Sequence, residues 1–169
     1  MIVKNEAAII ETLLTSVATT IDYYVICDTG STDDTVNIIR NFFDAKKIQG
    51  EIHHIKFNDF SQARNDALKL AQESKHPFDY ILLGDADMQL VVEDPDFRKH
   101  LTADCYQLIQ KNQWQSYYNA RLVKKDITSY YVGRTHEYLY TEEYPKQCTG
   151  AYYLDHCTGS SRGDKYERD

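Results

Sequence analysis

Two carboxylates one residue apart, Asp85-Ala86-Asp87, close the apolar run Tyr80-Ile81-Leu82-Leu83-Gly84. A run of that length with turn residues after it reads as a buried strand, and open α/β sheets bind ligands beyond the carboxyl ends of their strands. Paired oxygen donors at such a place suit Mg²⁺ or Mn²⁺ held against phosphates. An Asp pair after a strand also serves as a plain turn that caps the next element, so the tripeptide takes its meaning from its surroundings. His156, near the far end of the chain, offers an imidazole that Mn²⁺ accepts beside carboxylates; a histidine that merely follows a strand is the competing reading. Ser160, Ser161, Arg162 and Lys165 come next. Small donors and cations of this kind close over a diphosphate, and they are equally typical of a solvated loop.

Positioning these groups takes a sheet with covering helices. Met1-Ile2-Val3 reads as the tail of a strand, and Glu6 to Thr20 as a helix with Ala7, Ile10, Leu13, Leu14 and Val17 on one apolar stripe. Tyr23 to Cys27 forms a second strand that runs into Asp28-Thr29-Gly30-Ser31-Thr32-Asp33. Thr32 or Asp33 caps the next helix, which buries Val36, Ile38, Ile39, Phe42 and Phe43. Glu51 to Phe57 is a third strand, Ser61 opens a helix with Ala63, Ala67, Leu68 and Leu70 inward, and Lys75-His76-Pro77 stops it. Tyr80 to Gly84 is then the fourth strand. Beyond Asp87, Asp104 to Lys111 and Gln115 to Lys125 read as an antiparallel hairpin with Trp114, the sole tryptophan, in its turn. Trp114 there stacks on an acceptor sugar or is simply exposed. The fold class is therefore α/β: a Rossmann-like half with a mainly parallel sheet, followed by a smaller mixed or antiparallel half.

Composition narrows the partners. At 169 residues and 19.7 kDa the chain is long enough for one core and too short for two. A net charge of −7 and a pI near 5.3 exclude a general grip on nucleic acid, which needs clustered cations. An anionic ligand here needs a metal ion or a few placed cations. Cys27, Cys105, Cys148 and Cys157 show neither a CxxC pair nor zinc-like spacing, which fits reduced thiols in a cytoplasmic setting. Cys148 and Cys157 could pair, though nothing requires it. No apolar stretch approaches the roughly 20 residues of a membrane span, and the start has no signal-peptide order. Most of the fourteen Tyr fit half-buried strands better than a sugar-stacking surface. A strand already under way at Met1, and a helix that starts at Asp164 and stops at Asp169, suggest that residues 1–169 are one domain of a longer polypeptide.

Four blocks in order carry a resemblance: Met1-Ile2-Val3-Lys4-Asn5-Glu6-Ala7, Cys27-Asp28-Thr29-Gly30-Ser31-Thr32-Asp33-Asp34-Thr35, Phe60-Ser61-Gln62-Ala63-Arg64-Asn65, and Gly84-Asp85-Ala86-Asp87. Together they resemble the family 2 glycosyltransferases of GT-A fold, over about the first 90 residues. Thr135-His136-Glu137-Tyr138-Leu139 and His156-Cys157-Thr158-Gly159-Ser160-Ser161-Arg162 are similar to that family's acceptor-side and closing motifs. The resemblance implies transfer from a nucleotide-activated sugar, usually a UDP-sugar, to a hydroxyl acceptor, with Mn²⁺ or Mg²⁺ and inversion. It places Val3, Lys4, Asn5 and Glu6 around the base and ribose. Asp28 at its strand end accepts from the uracil or ribose, Gly30 and Ser31 let the backbone approach closely, and Arg64 faces the nucleotide. Each of these also has a structural reading, as a capping turn or a surface arginine. Within Asp85-Ala86-Asp87, which borders the donor, Asp87 is expected to ligate the metal ion directly, and Asp85 through water or by a ribose contact. An inverting transfer needs a base opposite the leaving diphosphate; Glu137 is the candidate, with His136 beside it binding donor or acceptor. The family often has a Glu-Asp pair where this chain has His-Glu.

Two other functions share these features. A nucleotidyltransferase acting on sugar phosphates also combines such a fold with acids, but it usually has a Gly-rich basic loop after the first strand, where this chain has Lys4-Asn5-Glu6. A module that binds a nucleotide-sugar or glycan without catalysis is the other.

Overall fold

The computed structural model describes residues 1–133 and 137–156. Three parallel strands, β1 (Ile2–Val3), β2 (Tyr24–Asp28) and β3 (Gly50–His54), lie side by side in that order. Their connections are α1 (Ile10–Val17) and α2 (Thr35–Lys46). α1 buries Ile10, Leu13, Leu14 and Val17, and α2 buries Thr35, Ile39 and Phe43, so the apolar stripes expected from the sequence are the packed faces. The ring of Phe43 stacks on that of Tyr24 at 4.1 Å, which ties α2 to the sheet. α1 is shorter than its pattern suggests. Glu6 N donates to Thr35 Oγ1 at the start of α2 and Ala7 N to an Asp33 oxygen, which ties the segment before α1 to the loop after β2.

α3 (Phe60–Glu73) starts at Asp59, whose side chain accepts from Gln62 N at 2.8 Å, a standard N-cap contact. Ala63, Ala67, Leu68 and Ala71 face inward. Small residues on that face let the helix lie close to the strands beneath it.

β4 (Tyr80–Leu82) departs from expectation. It is not a fourth parallel strand beside β1; it pairs antiparallel with β7 (Ser116–Lys124). There it forms the edge of a five-stranded sheet in the order β4, β7, β6 (Cys105–Lys111), β10 (Lys146–Asp155), β5 (Met88–Val92). β1 pairs with β2 at Cys27 and Asp28. The β6–β7 hairpin forms where the sequence places it, and Trp114 in its turn is 87% exposed. β5 and β10 were not distinguished in the sequence. Nor were β8 (Ser129–Val132) and β9 (Tyr138–Thr141), a hairpin that pairs only with itself. Of the tyrosines, Tyr24, Tyr106 and Tyr153 are buried, while Tyr117, Tyr118, Tyr130, Tyr138, Tyr140 and Tyr144 are exposed.

The layered arrangement is GT-A-like: a parallel nucleotide-side sheet, helices against it, and a mixed sheet beyond. No helix among the described residues is long and apolar enough to cross a membrane. Cys27, Cys105 and Cys148 are buried free thiols; Cys157 and the expected terminal helix at 164–169 lie outside the described residues.

Because α3 carries Arg64, its cap matters to the site. Asp59→Ala should lower stability by about 1 kcal/mol, read as a lower urea midpoint with an unchanged slope.

Candidate functional site

The loops that leave β1 and β2 are laced together by the residues that make up the sequence blocks. Asn5 adopts a left-handed φ of 55°, a conformation its short polar side chain tolerates. Its amide donates to Ser31 Oγ at 3.0 Å, and its Oδ1 accepts from Thr32 N at 2.7 Å. Asp28 is buried and accepts from Gly30 N and Ser31 N, with the His54 ring at 3.2 Å. Burial pushes the Asp28 pKa up, but those hydrogen bonds hold it below its ordinary value. Gly30 at φ 106° makes the tight return possible. The Asp28 carboxylate is thus engaged by its own loop.

At the end of β4, Asp85 sits between two guanidinium groups. Arg64 Nη1 donates to Oδ1 at 2.8 Å and Arg121 Nη2 to Oδ2 at 2.9 Å. Arg64 Nε also donates to Glu137 Oε1 at 3.0 Å, so one helical side chain joins the strand end to the residue that leads into β9. Burial opposes ionisation of Asp85, yet the charges of Arg121 and Arg64 prevail and hold its carboxyl well below the usual range. Arg121 is oriented from behind: Gln110, itself buried, accepts from Arg121 Nε at 2.9 Å.

Arg121 reaches this place through a β-bulge. Tyr106 pairs with Leu122 and Gln107 with Ala120, which leaves Arg121 without a partner across the β6–β7 ladder. A bulge turns one side chain out of alternation, and Arg121, Leu122 and Val123 are all buried in succession.

α3 fastens the β8–β9 hairpin too. Asn65 Oδ1 accepts from Tyr131 N at 2.6 Å while its Nδ2 donates to Tyr131 O at 2.9 Å, completing a two-way clamp on β8. Ser61 Oγ donates to the same carbonyl, and the Arg64 guanidinium lies 5.7 Å from the Tyr131 ring.

A polar pocket of about 290 Å³ opens beside this cluster. Val3, Lys4, Glu6, Arg64, Asp85, Ala86 and Asp87 all line it, so the structure gathers seven of the residues singled out in the sequence. Asn5, Asp28, Gly30 and Ser31 do not line it; they shape the loop behind. Gln110, Tyr117, Arg121 and Asp155 also border it. Sequence reading missed these four, and the one usable signal was a charged Arg121 between Ala120 and the apolar pair Leu122-Val123. His136, Ser161, Arg162 and Lys165 lie outside the described residues.

The acids at this pocket divide by their partners. Both oxygens of Asp85 accept from arginines, so its contacts are with protein cations. Asp87 in the turn before β5 and Asp155 at the end of β10 border the pocket, with Asp155 opposite Met88 and His156 N donating to Asp87 O. The His156 ring lies 3.1 Å from Gln89 Oε1. Among the described residues no three His, Cys, Asp or Glu side chains converge as a full metal cage. Mg²⁺ and Mn²⁺ at phosphates commonly take one or two carboxylates and complete their shell from substrate and water, and Asp87 with Asp155 fits that donor set.

The fold is that of a GT-A-type domain. The glycosyl transferase family 2 model matches residues 1–160, and the chain belongs to that family. It is 36% identical over 94 residues to a TPR repeat-containing protein of Synechococcus elongatus, a match covering 55% of this chain and 21% of that protein. Among solved structures it is similar to S. aureus TarS 1–349, with a TM-score of 0.52 and 20% identity over 68% of this chain and 35% of that one. The complex of that TarS fragment with UDP gives a TM-score of 0.50 at the same identity and coverage. The chain thus spans about a fifth of the curated relative and about a third of the solved structures it matches.

The charge cluster makes stability depend on acid. Asp85 has a folded pKa below its ordinary 3.8, so its contribution is present in full above about pH 4 and is lost as the pH falls toward the folded value. Asp85→Asn should flatten that acid limb. At pH 7 it should cost about 3 to 5 kcal/mol in chemical denaturation, because two guanidiniums lose their counter-charge.

Proposed function

We propose that this domain transfers a sugar from a UDP-sugar to a hydroxyl acceptor with inversion at the anomeric carbon, assisted by Mn²⁺ or Mg²⁺. The observation that carries the reading is Arg64, which bridges Asp85 at the donor pocket and Glu137 on the acceptor side. The UDP complex of the similarly folded TarS fragment supports the choice of donor.

In this reading the laced loops at Val3 to Glu6 and Asp28 to Ser31 hold the base and ribose, with Lys4 and Glu6 at the pocket wall. Asp87 holds the ion, aided by Asp155 and by His156 if its ring leaves Gln89. When bound, the ion supplies positive charge to the diphosphate leaving group. Asp85 keeps Arg64 and Arg121 in place, and their guanidinium groups add fixed positive charge beside the pocket. Glu137 takes the proton from the acceptor hydroxyl as that oxygen attacks. Arg64 orients the Glu137 carboxylate through Nε. His136, Ser161, Arg162 and Lys165 complete the proposal as groups that bind the acceptor or close over the diphosphate.

The test is a panel of UDP-sugars assayed for UDP release with Mn²⁺. One donor should stand out, and chelation with EDTA should abolish release. Asp87→Ala should lower turnover at least about 100-fold while leaving the circular dichroism spectrum unchanged. Glu137→Gln should remove about 100- to 10,000-fold of transfer with donor affinity retained. UDP-sugar binding without turnover, indifferent to Glu137→Gln, would instead establish a binding module.

A further inference from the structure

On the β6–β7 side, the wall of the polar pocket carries a relay of three side chains, Arg121, Gln110 and Tyr117. Gln110 and Tyr117 stand opposite each other across the ladder. Gln110 Oε1 accepts from Arg121 Nε at 2.9 Å, and Gln110 Nε2 lies 3.3 Å from the Tyr117 hydroxyl, with Met88 Sδ at 4.0 Å on its other side. Gln110 is only 1% exposed, so these contacts orient its amide.

The chemistry of the relay runs in one direction. A guanidinium donates and never accepts, so the amide oxygen of Gln110 must face Arg121 and its NH2 group must face Tyr117. The Tyr117 oxygen therefore accepts from Gln110. Its own hydrogen is directed elsewhere, which makes the hydroxyl a donor toward the pocket that Tyr117 lines. Asp85 anchors the far end, since its Oδ2 accepts from Arg121 Nη2 at 2.9 Å while Nε serves Gln110. Tyr117 itself is 40% exposed, within reach of a ligand.

The donors around the pocket differ in charge. Arg64 and Arg121 bring permanent positive charge beside Asp85, which matches phosphate oxygens. Tyr117 brings a neutral donor, and a neutral donor of fixed direction matches an uncharged oxygen such as a sugar hydroxyl. Held this way, it favours a ligand that supplies the oxygen over one that lacks it.

We propose that the Tyr117 hydroxyl, set as a donor by Gln110, recognises an uncharged oxygen of the transferred sugar and so separates a UDP-sugar from UDP alone. The assignment rests on the UDP-sugar reading of this pocket. Tyr117 is the contact, and Gln110 is a positioning residue. Gln110→Glu keeps the shape but supplies a carboxylate that accepts from both Arg121 and Tyr117, which turns the tyrosine hydrogen away from the ligand.

Titration calorimetry of the 169-residue chain with UDP, UDP-glucose, UDP-galactose and UDP-N-acetylglucosamine, in Mn²⁺, tests the relay. Tyr117→Phe should weaken the best-bound UDP-sugar about 10-fold and leave UDP within about 2-fold. Gln110→Glu should do the same, and the double variant should bind no more weakly than Tyr117→Phe, because both act through one hydrogen. No loss, an equal loss for UDP and UDP-sugar, or additive losses overturn the assignment. Where Gln110→Glu does not fold, Tyr117→Phe at its exposed position decides by the same comparison of UDP-sugar with UDP. A chain that binds neither UDP nor any of the three sugars overturns the donor reading and the assignment together; UDP-sugar binding untouched by Tyr117→Phe overturns the assignment alone.

Discussion

The pairing of Asp85 with two arginines is the constraint around which the rest of the molecule is arranged. A carboxylate largely withdrawn from water needs close counter-charge, and here the charges come from two elements: Arg64 from α3 and Arg121 from β7. Such pairs contribute little net stability once desolvation is counted. Their effect is positional. Each arginine has a further partner, Glu137 for Arg64 and Gln110 for Arg121, so a shift of any one group disturbs four others.

The nucleotide side follows a different principle. There the loop residues bond mostly to one another and to main chain, with Asn5, Ser31, Asp33 and Thr35 each holding the opposite loop. The pocket wall made by Val3 to Glu6 is therefore set by backbone geometry, whereas the wall made by Asp85, Arg64 and Arg121 is set by charge.

How much of this was legible in the sequence depended on range. Helical stripes in α1 to α3 and the β6–β7 hairpin rest on neighbours a few residues apart, and those appeared where the pattern placed them. The role of Asp85 rests on Arg121, 36 residues away, and no local pattern links them. The bulge hid Arg121 further, because it breaks the alternation by which buried strand positions are recognised. The bonds from Gly30 and Ser31 to the Asp28 carboxylate are the capping turn that the sequence offered beside a ligand role. β4 pairs with β7 through Leu122, Val123 and Lys124, far along the chain from it, a matter of pairing that hydrophobicity cannot convey. His136, Ser161, Arg162 and Lys165 fall outside the described residues and stay with the proposal.

The bulge at Arg121 also bears on how this family can vary. Strand β7 has two phases: residues after the bulge keep step with β4 and the core, and residues before it keep step with the distal part of β6. An insertion or deletion in the turn near Trp114 would slide only the outer phase, since the odd residue is absorbed where the ladder is already interrupted. The tip of the hairpin is thereby insulated from Asp85. Evolution could remodel that tip, with its exposed Trp114, Tyr117 and Tyr118, while the charged centre kept its register.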